Sequence, residues 1–394
     1  MTNLKTLVAE KNVCAIPWIS TEISLSGNSI NINPCCKYKA IPERTDNLKT
    51  IWFGEKYQTL RQKFLNQETI PECSACNVAN DSFSYMKRNN ELYEHHNLLS
   101  TTNVEDNSLP KVFHVSLSDV CNLACRMCSV HNSTTLNNIF KGSKILQTFS
   151  PISNTLEDDL DINILKGSLK DAQYVIIAGG EPLVDKKCID FIKLIHMESS
   201  QIKGIHFSTN LTKLNDTILQ YLSTMNCDVS FGISIDGPPA INDYIRHGSK
   251  FKSIVENIKY LKQNFPKIKL LINSTLSNLN VGYVKETLDN IHEIQLELGV
   301  SFIDLMPSPV FNPSYMHPRI MPDSTKQYYL EKLSNININD YTINGSALLV
   351  NTAIKLLSQP ADANEYQNFK RYITEFDSIV ATDFSILYPE FGAG

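Results

Sequence analysis

The sequence contains neither long apolar runs nor dense clusters of basic residues. No run of about 18 apolar residues occurs, so we expect no segment that spans a membrane. The first residues, MTNLKTLVAEK, have no apolar core long enough for a signal peptide. There is no block of about five basic residues, and the net charge is −5. Nucleic acid therefore has no electrostatic support as a partner and is not expected to be one.

The length and composition are ordinary for a folded globular protein. At 394 residues the chain is long for one domain, and we expect roughly two to three domains. Hydrophobic residues make up 42% of the sequence and charged residues 20%, without any low-complexity tract.

The cysteines are unevenly distributed. Ten cysteines without a secretion signal indicate a reducing compartment, and we expect the cytoplasm, where thiols bind metals rather than form disulfides. Eight of the ten fall within the first 128 residues: Cys14, Cys35, Cys36, Cys73, Cys76, Cys121, Cys125 and Cys128. Cysteines that only fill a core have no reason to group in this way. Cys188 and Cys227, farther along the chain, are expected to be structural.

From residue 109 onward the sequence alternates between strand-like and helix-like runs. Six strands are predicted, at Val112–Leu117, Tyr174–Ala178, Gly204–Ser208, Val229–Ile235, Ile268–Thr275 and Phe302–Met306. The helical stretches between them predict an α/β fold, a partial (β/α)6 TIM-like barrel over residues 109–310. Residues 311–394 begin with several prolines and continue with helix-like stretches, which predict a helical C-terminal cap.

The first 108 residues have few periodic runs and five of the cysteines, which favours a small cysteine-rich domain held together by metal. Alternating apolar residues predict a β-hairpin that turns at Gly27-Asn28, with Cys14 before its first arm and Cys35 after its second. A helix is expected near Tyr57–Leu65, ahead of the last cysteine pair of this segment.

Two motifs at predicted strand ends indicate the chemistry. Cys121, Cys125 and Cys128 form a C-x3-C-x2-C loop that can wrap three thiolates around one face of a metal centre. A cluster of four irons held by three thiolates leaves one iron open to a small molecule, whereas a structural zinc site normally closes with four ligands. The second motif, Gly179-Gly180-Glu181-Pro182, ends another strand. Together they resemble the radical S-adenosylmethionine (SAM) enzymes.

This resemblance implies that the three cysteines hold a 4Fe-4S cluster whose open iron binds SAM. Residues Gly179 and Gly180 would allow close approach of the backbone to the ligand, and Glu181 would accept a hydrogen bond from the SAM amino group. Further contacts with SAM are implied for Met127, Pro182, Ser208, Asn210, Ser234, Asp236 and Arg246. The planar guanidinium of Arg246 suits the SAM carboxylate, although a solvated surface charge is the alternative interpretation.

The N-terminal cysteines resemble the auxiliary-cluster domains called SPASM and Twitch, placed here before the barrel. The resemblance implies that Cys14, Cys35, Cys73 and Cys76 bind a second iron–sulfur cluster. A structural zinc site with the same ligands is the alternative. Cys36 could replace Cys35, but neighbouring side chains on an extended arm point opposite ways, so we do not expect both to be ligands.

The expected function is that of a radical SAM enzyme that abstracts hydrogen from a peptide, supplied with electrons by a low-potential donor such as ferredoxin or flavodoxin. The preference for a peptide follows from the auxiliary domain, because enzymes with such domains often modify peptides. Modification of a carbohydrate, a nucleoside or another small metabolite is the alternative. A non-enzymatic iron–sulfur protein is the alternative from another class, and the Gly-Gly-Glu-Pro motif argues against it.

Overall fold

The computed structural model describes residues 3–26, 29–39, 43–45, 47–77, 85–152 and 162–391. The predicted turn at Gly27-Asn28 lies outside these residues. Within them, no helix combines the length and the apolar character that crossing a membrane requires.

The strands form one large sheet and one small one. Nine strands pair in the order β11-β10-β8-β7-β6-β4-β1-β2-β3, and β5 pairs with β9. Their bounds are β1 (Ser20–Ser26), β2 (Ser29–Asn33), β3 (Glu43–Thr45), β4 (Val112–Ser116), β5 (Ala124–Cys125), β6 (Tyr174–Ala178), β7 (Gly204–Thr209), β8 (Asp228–Ser234), β9 (Arg246–His247), β10 (Lys269–Leu276) and β11 (Phe302–Pro309). The six predicted barrel strands are confirmed as β4, β6, β7, β8, β10 and β11, each parallel to the next.

Helices connect the barrel strands and make up most of the two flanking segments. Their bounds are α1 (Leu4–Lys11), α2 (Ile16–Ile19), α3 (Leu48–Trp52), α4 (Glu55–Leu65), α5 (Ser74–Asn77), α6 (Tyr85–His95), α7 (Thr134–Lys141), α8 (Lys187–Glu198), α9 (Asp216–Thr224), α10 (Pro239–Ile245), α11 (Phe251–Asn264), α12 (Val284–Leu298), α13 (Asp323–Ser334), α14 (Ser346–Leu357), α15 (Ala363–Val380) and α16 (Phe384–Leu387). The helix predicted near Tyr57–Leu65 is α4, and the predicted helical C-terminal cap is α13 to α16.

Side-chain alternation separates the two faces of the barrel sheet. On β4, Phe113 and Val115 are buried in the main apolar core, whereas His114 lies between them on the opposite face. On β7, His206 is placed in the same way between buried Ile205 and Phe207. One face of the sheet therefore packs under the helices, and the other carries polar side chains.

The N-terminal segment is continuous with the barrel sheet. Strand β1 runs parallel to β4, with Glu22 opposite His114, and β2 and β3 continue the sheet in antiparallel pairing. The predicted hairpin arms are therefore confirmed as strands, but they extend the barrel sheet to a seventh parallel strand. The division at residue 108 stays a prediction, and the sheet runs across it.

Two apolar cores also join the segments. The main core contains Trp52 and Tyr57 from the N-terminal segment together with barrel residues and Phe369 of α15. The N-terminal core consists of Leu4, Leu7, Val13, Ala15, Ile16, Trp18, Ile19, Tyr93, Leu98 and Leu99, packed with Val112 of β4. Because Val112 shares the face of His114, the N-terminal helices pack on the polar face of the barrel at the beginning of its strands.

Candidate metal and cofactor site

The three-cysteine loop, residues 116–128, leaves the end of β4 and is held by backbone hydrogen bonds. Strand β5 places Cys125 opposite Arg246 of β9 in antiparallel register. The Arg126 amide donates to the Ile245 carbonyl at 2.9 Å, and the Cys128 amide donates to the Cys125 carbonyl at 3.0 Å. Cys125 therefore lies on a short ladder with the segment after α10, and a turn bonded back to Cys125 holds Cys128.

The beginning of α7 holds the other end of the loop. The hydroxyl of Ser133, which caps the helix, donates to the Leu123 carbonyl at 2.6 Å and accepts from the Leu136 amide. The Thr135 hydroxyl donates to the Cys121 carbonyl at 2.6 Å. A loop with its carbonyl groups satisfied in this way presents its cysteines in one arrangement rather than several.

The three cysteines of the loop are half-buried, and the charges of their thiols are coupled. Burial, together with the charges of Glu181 and Cys128, raises the pKa of Cys121 to about 11. Burial also raises the pKa of Cys125, where the Arg246 charge opposes it and the charges of Cys128 and Cys121 add to it. The thiols are therefore protonated at neutral pH in the absence of a cation, and metal binding releases their protons.

The donor set fits an iron–sulfur cluster. Its ligands are thiols on one loop, and the guanidinium of Arg246, with Nη1 at 3.9 Å from the Cys125 sulfur, supplies positive charge beside them. Within the described ranges, no three His, Cys, Asp or Glu side chains stand close enough to share a single metal ion. The assignment of an iron–sulfur cluster to this loop therefore depends on the chemistry of the three thiols and on the electrostatic coupling between them.

The turn after β6 packs directly on this loop. Gly179 and Gly180 have φ angles of +77° and +43°, a region that side chains rarely adopt. A Cβ on Gly180 would lie 2.3 Å from the Val120 carbonyl oxygen, and the Glu181 amide donates to that oxygen at 2.7 Å. The close approach that these glycines permit is therefore to the chain's own cysteine loop.

Glu181 is 1% exposed, and its carboxylate accepts three hydrogen bonds. Oε1 accepts from the Thr209 hydroxyl at 2.6 Å and from the Leu183 amide at 3.1 Å, and Oε2 accepts from the Asn210 amide at 2.6 Å. Burial raises its pKa, and these bonds oppose the shift. A carboxylate has about four acceptor positions, so one remains for a ligand.

Asp236 and Arg246 form a buried ion pair, with Asp236 Oδ2 at 2.6 Å from Arg246 Nε. Asp236 Oδ1 also accepts from the Thr275 amide at 2.7 Å. Arg246 is only 8% exposed, so the interpretation of Arg246 as a solvated surface charge is wrong. The pair holds the guanidinium beside Cys125.

The other residues implied for SAM differ in how they are used. Met127 is 9% exposed and packs in the main core. The Asn210 side chain donates to Asn122 Oδ1 at 3.1 Å, which ties it to the three-cysteine loop. Ser208 and Ser234 are half-buried on the polar face, and neither hydroxyl bonds to another described residue. Pro182 is buried in the turn.

The four-cysteine site consists of Cys14, Cys35, Cys73 and Cys76, which come from four separate elements. Cys14 lies between α1 and α2, Cys35 follows β2, Cys73 ends the 3-10 helix Pro71–Cys73, and Cys76 lies in α5. Burial raises the pKa of Cys14, and the charges of the other three thiols raise it further. The fold therefore brings these four cysteines within electrostatic range of one another, although no three of them stand as close as the ligands of one metal ion.

Cys36 has a different environment from Cys35. Burial, together with the charges of Cys76 and Cys73, raises the pKa of Cys35 to about 12. Cys36 instead responds, after burial, to the charge of Glu22 and to a hydrogen bond with Tyr85. The two neighbouring side chains thus face different groups, as expected for an extended arm.

Contacts behind the site include three residues that the sequence analysis missed. Thr209 lies between the predicted Ser208 and Asn210, so its position at a strand end was a usable signal. Arg126, inside the cysteine motif, is paired with Asp377 from 251 residues away. No local pattern connects those two positions.

Comparison with known proteins agrees with this geometry. Residues 115–307 match the family model described as the Radical SAM superfamily, and this range contains the three-cysteine loop and the Gly179–Pro182 turn. The barrel of this chain is therefore similar to the radical SAM domains, which belong to a class of enzymes.

Individual relatives cover only part of this chain. A GTP 3',8-cyclase from Clostridium perfringens (strain SM101 / Type A) is 26% identical over 49% of this chain and 54% of its own length. The mycofactocin maturase MftC from Mycobacterium ulcerans (strain Agy99) is 32% identical over 29% of this chain and 30% of its own length. The chain thus spans about half, or less, of the length of each of these curated relatives.

Solved structures resemble the chain more distantly. Streptococcus suis SuiB bound to S-adenosylmethionine is 14% identical to this chain with a TM-score of 0.37, and the match covers 83% of this chain and 70% of the SuiB chain. Native anSMEcpe with bound AdoMet is 17% identical, covers 58% of this chain and 61% of its own, and has a TM-score of 0.41.

Proposed function

We propose that this protein is a cytoplasmic radical SAM enzyme with two iron–sulfur clusters. Cys121, Cys125 and Cys128 would hold the first cluster, and Cys14, Cys35, Cys73 and Cys76 the second. When bound, the first cluster supplies an electron that splits SAM into methionine and a 5′-deoxyadenosyl radical, which abstracts hydrogen from substrate. The observation that carries the proposal is the three-cysteine loop packed against the buried Glu181 carboxylate and the buried Arg246 guanidinium.

The chain's own residues have separable roles in this scheme. Three donors fix the Glu181 carboxylate, which leaves one acceptor position for the SAM ammonium. Arg246, held by Asp236, compensates negative charge next to Cys125. The polar face of the barrel binds substrate, and the hydroxyls of Ser208 and Ser234, which bond to no described residue, can donate to it.

Two half-buried histidines extend the polar face without adding charge. Burial lowers the pKa of both His114 and His206 to about 4, so both rings are neutral near pH 7. The His206 Nδ1 atom lies 2.9 Å from the Ser230 hydroxyl, which orients its ring. Neutral imidazoles both donate and accept hydrogen bonds, and this suits an uncharged amide or alcohol group.

We prefer a peptide as the substrate because the four-cysteine site resembles auxiliary-cluster domains that accompany peptide modification. A nucleotide or another small metabolite is the second candidate, and the similarity to GTP 3',8-cyclases over 49% of the chain favours it. A low-potential carrier such as ferredoxin or flavodoxin would supply the electrons to either reaction.

Metal content and SAM cleavage test the proposal. The anaerobically reconstituted protein should hold about eight irons, and replacement of all three loop cysteines by alanine should leave about four. With dithionite and SAM, the wild type should form 5′-deoxyadenosine and the triple variant none. Equal turnover by the two proteins would rule out the radical mechanism, and zinc in place of the second cluster would rule out the auxiliary cluster.

Deuterium transfer separates the two substrate classes. Deuterated peptides and deuterated GTP are each incubated with enzyme and SAM, and label is measured in 5′-deoxyadenosine. Transfer from a peptide alone supports peptide modification. Transfer from GTP alone contradicts it and supports the nucleotide reaction.

A further inference from the structure

Arg126, between the second and third cysteines of the three-cysteine loop, points away from the thiols into the protein. Its side chain is 0% exposed. Nη2 lies 2.6 Å from Asp377 Oδ1 and 2.7 Å from the Thr382 hydroxyl, and Nη1 donates to the Tyr244 carbonyl oxygen. The positive charge of Arg126 is thus paired with Asp377 on the C-terminal helix α15, and Thr382, just after that helix, adds a hydrogen bond.

Aromatic rings enclose this ion pair. The guanidinium carbon lies 3.7 Å from the centroid of the Tyr244 ring and 4.7 Å from that of Phe376. The Tyr244 hydroxyl donates to Asp377 Oδ2 at 2.9 Å, so both carboxylate oxygens are bonded. The rings thereby exclude water from the ion pair. In this interior environment the attraction between the two charges is strong and their geometry is restricted.

The backbone of Arg126 is tied at both of its polar groups. Its amide donates to the Ile245 carbonyl, and its carbonyl accepts from the Tyr372 hydroxyl at 2.9 Å. Side chain and backbone together connect the Cys125–Cys128 segment to α10 and α15. A buried ion pair adds little net stability over an apolar substitute, but loss of one partner leaves an uncompensated charge. Such a contact therefore selects one loop conformation.

We propose that Arg126 and Asp377 are positioning residues that hold Cys125 and Cys128 where a cluster needs them. The C-terminal segment from Ala363 to Thr382 is then part of the metal site, although it supplies no ligand. This inference rests on the proposed cluster-binding function of the loop. Its test uses the metal-free protein, so that the two proposals can fail separately.

The experiment measures the alkylation rate of each thiol in reduced, metal-free protein by mass spectrometry. Asp377→Asn keeps the shape of the side chain and removes its charge, and Arg126→Met removes the partner. In both variants the loop opens more often, so Cys125 and Cys128 should react about tenfold faster. Cys188, fully buried on α8, reports global opening and should react at the wild-type rate.

Two further variants separate positioning from general stability. Asp362→Asn breaks an exposed ion pair with Arg319 at the other end of α15 and keeps an N-cap side chain, so it should change neither loop thiol. Arg126→Lys keeps the charge but cannot reach Asp377, Thr382 and the Tyr244 carbonyl together. Its alkylation rates should lie between those of the wild type and Arg126→Met.

The reconstituted proteins provide a spectroscopic readout. Asp377→Asn should lose the visible absorption of its first cluster to a chelator about tenfold faster than Asp362→Asn. Unchanged loop-thiol rates, a matching increase at Cys188, or an equal effect of Asp362→Asn would overturn the inference. Faster loop-thiol alkylation in a protein that binds no iron would support the positioning role and overturn the proposed function instead.

Discussion

The three-cysteine loop and the four-cysteine site solve the same problem, gathering thiols, in opposite ways. In the three-cysteine loop the thiols are neighbours in sequence, and the supports come from afar, including Asp377, which lies 251 residues from its partner Arg126. In the four-cysteine site the thiols themselves are scattered, and nearby backbone contacts join their segments. The amide of Lys39, after Cys35, donates to the carbonyl of Glu72, before Cys73, at 2.9 Å.

Buried charge also differs between the two regions. Beside the three-cysteine loop, Arg126 and Arg246 are each paired with a carboxylate at 2.6 Å. Beside the four-cysteine site, Glu22 Oε2 is buried and has no hydrogen-bond partner among the described residues. In the first region each buried arginine is therefore in contact with a carboxylate, whereas in the second the charge of Lys37 acts on Glu22 without a described ion pair between them. We expect single substitutions to destabilise the first region more than the second, because removal of one partner there leaves the other charge of an ion pair buried without its partner.

The largest expected effect on stability comes from Gly180→Ala, which disturbs the three-cysteine loop and not the four-cysteine site. The new Cβ would meet the Val120 carbonyl at 2.3 Å in a left-handed conformation, so the free energy of unfolding should fall by about 4 kcal/mol. Chemical denaturation measures the loss. Gly167→Ala is the matched control, because its φ is also positive, at +75°, but nothing lies within 4 Å of the added Cβ. It should cost only about 1 kcal/mol, and equal losses would contradict the packing argument.

A second effect sharpens the contrast in buried charge. Burial raises the pKa of Glu22 to about 7 from 4.5, with Lys37 opposing the shift. The pKa of Glu22 is higher in the folded state than in the unfolded state. The protonated carboxyl therefore makes its full contribution to stability below pH 4.5, and this contribution is lost as the pH rises through 7. Glu22→Gln should therefore be more stable than wild type at pH 8, by up to about 3 kcal/mol, and equally stable at pH 4.

Denaturation across that pH range tests the sign. The exposed acid Glu94 provides a control, since Glu94→Gln should leave the pH profile parallel to that of the wild type. A Glu22→Gln variant that is less stable than wild type at pH 8 would show that the carboxylate has a partner in solution.

The smallest of the three effects should disturb the four-cysteine site alone. Asn90 holds the backbone on both sides of Cys14, accepting from the Ala15 amide at 3.0 Å and donating to the Val13 carbonyl at 2.8 Å. Asn90→Ala leaves both groups without a partner and should cost about 2 kcal/mol. Metal at the four-cysteine site should be lost first, measured as a fall from about eight irons to about four.

Asn89→Ala is the matched control on the same helix. Asn89 is about equally buried, but among the described residues its side chain bonds only to the Tyr85 carbonyl, one turn earlier. It should retain the full metal content. Loss of iron from both sites in Asn90→Ala would mean that the two regions are not independent.

The repeating elements were predictable because side-chain period encodes them locally. Strand β6 has the predicted bounds, and α4 lies where a helix was predicted near Tyr57–Leu65. The place of β1 was not predictable, because its alternation suits either a separate hairpin or an added strand of the barrel. Only the pairing with β4 decides between them.

The sequence by itself determined the α/β class of the barrel, the grouping of three thiols on one loop and the turn at Gly179–Pro182, since each depends on residues a few positions apart. The tertiary structure alone decided that Arg246 is buried against Asp236 rather than solvated, and that Asp377 reaches Arg126. Ion pairs of this kind depend on which surfaces pack together and on how far water is excluded from them. Neither property is carried by the spacing of residues along the chain.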